Sequence, residues 1–133
     1  MKIKNILRTV FAFIFAAGGV SHIVLITAAP QAYEGFADYA FFSFYTSLWN
    51  SIILPYLPLW IVLLILFEFA VSFLLLGKGK KPKIGLILAA FFCLVLVPFW
   101  WNGGAIINII LLFVILWLLR FEYPDPVFRK RSS

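Results

Sequence analysis

One ionisable side chain invites a chemical reading before any other. Glu68 stands alone at the centre of the apolar run Pro58 to Leu76, PLWIVLLILFEFAVSFLLL. As an α-helix that run covers about 28 Å at about 1.5 Å per residue, matching a hydrocarbon layer about 30 Å thick. A charge near the midplane costs at least about 2.5 kcal/mol unless it is neutralised or partnered. Its candidate partners are few. Counted from the nearest basic or glycine boundary at about 1.5 Å per residue, His22 lies about 21 Å deep, Asn108 about 18 Å and Glu68 about 13 Å. Ser72, four residues after Glu68, shares its helical face, and Ser21, Thr27 and Asn102 add polar groups above. The buried polar groups thus gather in one half of the membrane, over an inner half of Leu, Ile, Val and Phe.

A carboxyl, an imidazole and amides beside aromatic rings suit a lipophilic ligand with a polar, proton-exchanging head, of which a quinone is the obvious example. Asn108 and His22 would bond its carbonyl oxygens, Glu68 would gain or lose a proton, and Phe or Trp would cover the ring. Asn102 and Ser72 complete the expected ligand-binding set. Each residue also has a plainer reading, as a hydrogen-bonded group that only holds helices together. One His, one Glu and two amides are too few strong ligands for a metal. No acid at the depth of His22 completes a nucleophilic triad, so no catalytic residue is assigned.

The elements that must position these residues follow from composition. The 133-residue chain is 65% hydrophobic and 12% charged, where soluble domains run at roughly 45–50% and about 25%. It reads as a single domain and an all-α, multi-pass membrane protein. The net charge of +6 sits in three clusters: Lys2, Lys4 and Arg8; Lys78, Lys80, Lys81 and Lys83; Arg120, Arg129, Lys130 and Arg131. Each borders an apolar span, the positive-inside pattern, so the expected counter-charge is an anionic headgroup and not nucleic acid. Cys93 is the only cysteine, which excludes an intrachain disulfide or a Cys-x-x-Cys redox pair.

Four spans are expected, at about 6–29, 58–76, 84–101 and 105–119, with both termini cytoplasmic. The first exceeds the usual h-region of a cleaved signal, and further spans follow it. Gly18 and Gly19 give it a small surface for helix approach, and Pro30 ends it. The connection 30–57 holds Glu34 and Asp38 without a basic residue and is dense in aromatics, predicting one or two short interfacial helices. It either anchors at the headgroups or forms a lid over a cavity between the spans. KGKKPK is read as a cytoplasmic loop. Gly85 supplies the third span's small face, and Pro98 is expected to free a carbonyl and bend its outer end. Residues 122–133 form a polar tail, expected to be partly disordered.

Several short stretches resemble the DoxX-like (DoxX/DoxD) four-helix membrane proteins. GGVSH (Gly18 to His22) looks like that family's first-helix G-x-x-H element, and LFEFAVSFLLLGKG looks like its second helix with a central Glu. PKIGL and VPFWWNGGAIIN are similar to its third-helix glycine, its proline near the end of that helix and its fourth-helix asparagine. The resemblance covers about residues 5–121. It implies a four-helix bundle in an inner membrane and a loose association with respiratory or thiosulfate–quinone redox systems. It carries over to Gly18, His22, Glu68, Gly85, Pro98 and Asn108 as pocket or packing positions. The expected role is a ligand-binding membrane subunit serving a redox enzyme or other membrane protein, with self-association open. From another class comes a non-catalytic scaffold or assembly factor. Proton-coupled transport fits less well, because the inner half offers no second polar station.

Overall fold

The structure, a computed structural model, describes residues 2–129, so Lys130 and Arg131 of the third basic cluster and the end of the tail lie outside the described residues. Among those residues every regular element is helical. Helix α1 runs Ile3–Ala28 and stops at Ala29 (φ −150°, ψ 58°), where the following proline disfavours a further helical residue. The connection opens with a 3-10 turn, Pro30–Tyr33, and contains one short helix, α2, Ser43–Leu48. A π turn (Trp49–Ile53) and a 3-10 turn (Leu54–Tyr56) then carry the chain into α3, Leu57–Leu76. Helix α4 spans Lys81–Phe99 and α5 Gly103–Leu118.

Three of the expected spans match helices long and apolar enough to cross a membrane. The fourth falls short: α5 has 16 residues, about 24 Å. Boundaries shift for local reasons. The KGKKPK segment is half helix, because Pro82 sits in α4's first turn, where its missing N–H costs nothing. Gly79, at φ 66°, makes the left-handed bend before it. At the other end α4 stops at Phe99, one residue past Pro98, where the ring has removed a helical donor.

The helices pack in chain order, α1 on α3, α3 on α4 and α4 on α5. Small residues set the spacing. A Cβ on Gly19 would lie 3.0 Å from the Phe69 ring, and one on Gly85 3.1 Å from the Leu74 side chain. Ser72 donates across the α1–α3 seam to the Ala12 carbonyl at 2.7 Å. Inward, Phe11, Phe15, Val71, Leu75, Leu86, Ile115 and Leu118 share one core. Outward, Phe13, Leu66, Phe73, Phe91 and Phe113 are each more than 60% exposed, a surface suited to oil and not to water.

The tail makes contacts that its residues do not announce. Arg8, read as a flanking charge, is fully buried. Its guanidinium donates to the carbonyls of Leu75 (3.3 Å), Gly77 (2.8 Å) and Asp125 (2.8 Å), and its Nε to Asn5 Oδ1 at 3.1 Å. The first two belong to the end of α3, where carbonyls lack helical donors and the helix dipole is negative. The Tyr123 ring lies 4.8 Å from the guanidinium carbon, and burial raises its phenol's pKa, so its hydroxyl stays protonated and donates to Leu118 O at 2.7 Å. Backbone bonds Gly79 N–H to Tyr123 O (2.7 Å) and Val127 N–H to Leu76 O (3.0 Å) fasten the segment to the α3–α4 turn. Residues 123–127 are therefore docked: Asp125 brings one of the acceptors the buried cation uses, and Tyr123 and Val127 are bonded to the α3–α4 turn.

Replacing Arg8 with Met should release this segment. Hydrogen bonds to charged groups contribute about 1.5–3 kcal/mol each, so the loss should exceed about 3 kcal/mol. Thermal unfolding in detergent should show the drop, and hydrogen exchange should rise at residues 121–129 ahead of the helices. Unchanged exchange in that segment would refute the docking role.

A candidate ligand cavity beneath the aromatic connection

Between α1, α3, α4 and the connection lies a partly open cavity of about 420 Å³. Its floor is Glu68, flanked by Gly18 and His22 of α1 and by Ile61 and Leu64 of α3. Phe92, Val95, Leu96 and Phe99 of α4, with Trp100 just past its end, form one wall. The connection closes the rest with Tyr33, Phe36, Tyr45, Leu48, Trp49 and Ile53. Of its two expected roles, this segment therefore at least covers a cavity.

Backbone bonds hold that cover in place. Phe41 N–H donates to Pro98 O at 2.8 Å and Trp101 N–H to Tyr39 O at 3.0 Å. Pro98 thus uses its own carbonyl to dock the connection. The indoles are pinned as well, Trp49 Nε1–H to Tyr33 O at 2.8 Å and Trp100 Nε1–H to Phe36 O at 3.1 Å. Phe36 stacks on Trp49 at 5.9 Å, and Trp49 meets Phe99 at 5.3 Å, giving a continuous ring wall.

Glu68 is only 4% exposed. Its carboxyl lies against the α1 backbone at Gly18, where an added Cβ would fall 2.7 Å from Oε1 and 3.2 Å from Oε2. Only glycine leaves that space. Oε1 is 4.0 Å from His22 Nε2, while Oε2 has no hydrogen-bond partner among the described residues. On its other side His22 Nδ1 lies 2.7 Å from the Tyr33 hydroxyl. Tyr33 is fully buried, and its phenol's pKa is raised first by that burial and then by the Glu68 charge. Its proton needs an acceptor, and His22 is the one partner the hydroxyl has among the described residues. Tyr33 therefore donates to Nδ1, which puts the imidazole proton on Nε2, facing Glu68.

The structure thus brings together Gly18, His22 and Glu68 and leaves the other expected ligand residues elsewhere. Asn108 Nδ2 donates to Gly104 O, four residues back in its own helix, at 2.9 Å. It matches Glu68 roughly in depth, but α5 packs on α4 and Asn108 does not line the cavity. Asn102 Oδ1 accepts from Gly104 N–H at 2.8 Å and caps α5. Ser72 lies below the cavity and is spent on Ala12. Tyr33 is the residue the spacing missed. Its signal was its place just past Pro30, where a chain turning back over α1 returns toward His22. Among the described residues no group of three or more His, Cys, Asp or Glu is arranged for a metal.

Fold and site together define an α-helical membrane protein with an aromatic cavity holding one unpartnered carboxyl oxygen. Comparison with protein-family models, curated proteins and solved structures finds no match for this chain.

Gly18→Ala should push the carboxyl, the far end of a flexible side chain, out of its seat and cost less than the about 1–3 kcal/mol usual for overpacking. The penalty should largely vanish when Glu68 is also changed to Ala, since the clashing atoms are then absent. A double-mutant cycle in detergent measures this coupling. Additive effects would mean that Gly18 serves helix spacing alone.

Proposed function

We propose that this chain is a DoxX-like, four-span protein of a bacterial-type inner membrane whose cavity binds a lipophilic small molecule with a polar head, of which quinones are the leading class. In this reading both termini are cytoplasmic. Lys4 and Lys83 both reach Glu122, which gathers basic residues of α1, α4 and the tail at one end and supports that orientation. Helix α5 crosses despite its length, aided by local bilayer thinning.

One observation carries the binding role: Glu68, whose carboxyl makes no hydrogen bond among the described residues, lines a wall otherwise made of rings and aliphatic groups. An unmet carboxyl in such surroundings is costly, and a ligand head would meet it. The volume falls within the range of about 300–1,000 Å³ typical of small-molecule sites. On this view the protein serves a redox enzyme or other membrane protein as a ligand-binding subunit, and no reaction is assigned to it. The scaffold reading draws on a different fact, that Ser72, Asn102 and Asn108 are all spent on backbone partners.

Mass spectrometry of lipophilic molecules purified with the protein in mild detergent separates the two. A specific lipophile should accompany the native chain and fall at least about ten-fold in Glu68→Gln, as expected for a hydrogen bond to a charged group. The same background lipids in both preparations would favour the scaffold.

A further inference from the structure

We infer that His22 gives the ligand a hydrogen bond through Nε2–H and that Tyr33 is the positioning residue that keeps the proton there, so that the head group is an uncharged acceptor such as a carbonyl. This deepens the binding reading above and rests on it.

Tyr33 sets which imidazole nitrogen carries the proton. Its hydroxyl lies 2.7 Å from His22 Nδ1 and has no other partner among the described residues. A proton on Nδ1 would turn the hydroxyl into an acceptor and leave its own hydrogen buried and unmet. A bare Nδ1 receives that hydrogen instead, and the imidazole proton stays on Nε2. The two rings also lie nearly parallel, 18° apart with centroids 5.8 Å apart. Tyr33 is in turn held by the Trp49 indole on its carbonyl, so the connection fixes both the tautomer and the plane of the imidazole.

The Nε2–H group is a donor without an acceptor. Oε1 of Glu68 is 4.0 Å away, too far for a hydrogen bond, and whichever protonation state Glu68 holds the donor stays available. His22 lines the cavity with its side chain 19% exposed, whereas Oε2 of Glu68 is sealed within the protein. The Trp49 and Trp100 indoles, by contrast, already serve backbone carbonyls. No Lys or Arg of the described residues lines the cavity, so a carboxylate or phosphate head would lose its water with no cation to meet it. A quinone, ketone or ester carbonyl accepts from Nε2–H and brings no charge.

The chain holds a single histidine, so nitrogen-15 labelling of histidine in the full-length, untagged protein in detergent reports this imidazole alone. At about pH 8 Nε2 should carry the proton and Nδ1 none. The Nδ1 signal should move in Tyr33→Phe, which removes only the hydroxyl. Isothermal titration then uses a short-chain alkyl benzoquinone, the alkylbenzene with methyl groups in place of its two oxygens, and oleate. The ratio of quinone to hydrocarbon affinity, compared between variants, cancels the difference in their solubility. It should fall at least about five-fold in His22→Phe and at least about two-fold in Tyr33→Phe. Oleate should bind the native protein at least about ten-fold more weakly than the quinone. A ratio unchanged in His22→Phe would overturn the donor contact while leaving a lipophilic site intact. A proton on Nδ1 in the native chain, or a ratio unchanged in Tyr33→Phe, would overturn the positioning role. Oleate binding as tightly as the quinone would overturn the uncharged head, and absence of binding by all three would overturn the site itself. Should His22→Phe fail to fold, Tyr33→Phe and the nitrogen signals decide.

Discussion

A carboxyl pressed against bare helix backbone is the contact on which the upper half of the molecule depends. Glu68 takes this seat beside α1 because position 18 has no side chain: a Cβ there would lie 2.7 Å from Oε1, and the carboxyl would have to shift. That seat draws α1 and α3 together and puts the acid within reach of His22, one helical turn further along α1. His22 in turn fixes Tyr33, Tyr33's carbonyl fixes Trp49, and the ring wall follows. The connection is thus ordered from the acid outward, through polar contacts that begin inside the apolar layer.

The opposite end solves a comparable problem differently. Arg8 is as buried as Glu68, yet its guanidinium donates to three backbone carbonyls and an amide oxygen and stacks on a ring. A charge so fully met is structural, because nothing remains for a ligand to satisfy. Glu68 makes no hydrogen bond among the described residues: Oε2 has no partner, and Oε1 lies 4.0 Å from His22 Nε2, too long for one. The contrast within one chain makes the unmet oxygen informative. The same fold that spends four hydrogen bonds on a buried cation gives a buried acid none among the described residues.

Much of this was legible in the residues, for identifiable reasons. Helix positions followed from apolar runs bounded by proline and glycine, and the carboxyl's depth followed from counting rise per residue. Counting gives height but not direction around an axis. Asn108 therefore looked like a partner of Glu68, although its helix packs on α4 and its amide turns back to Gly104. Asn102 failed as a ligand for a related reason: an Asn just before a helix is a cap first. Arg8 and the tail were misread because basic residues beside spans usually face water. Nothing local in FEYPDP announces that its carbonyls and its tyrosine will wrap an arginine.

The vertical distribution of packing then bears on mechanism. Toward the α3–α4 turn from Glu68, Val71, Leu75, Leu86 and Ala89 are fully buried and Cys93 nearly so, with the Ser72 hydroxyl tied to Ala12. A solute or proton passing that layer would meet no free polar group, whereas on the other side His22 and Tyr33 lead from the acid into the connection. Alternating access needs a site that can be reached in turn from both faces, and this one is closed by tight packing on one of them. On the proposed binding reading, a cavity roofed by aromatic rings would hold or present a molecule from a single side. On that reading exchange would run past the connection or laterally between helices, and the connection is held over the cavity by the hydrogen bonds from Phe41 to Pro98 and from Trp101 to Tyr39.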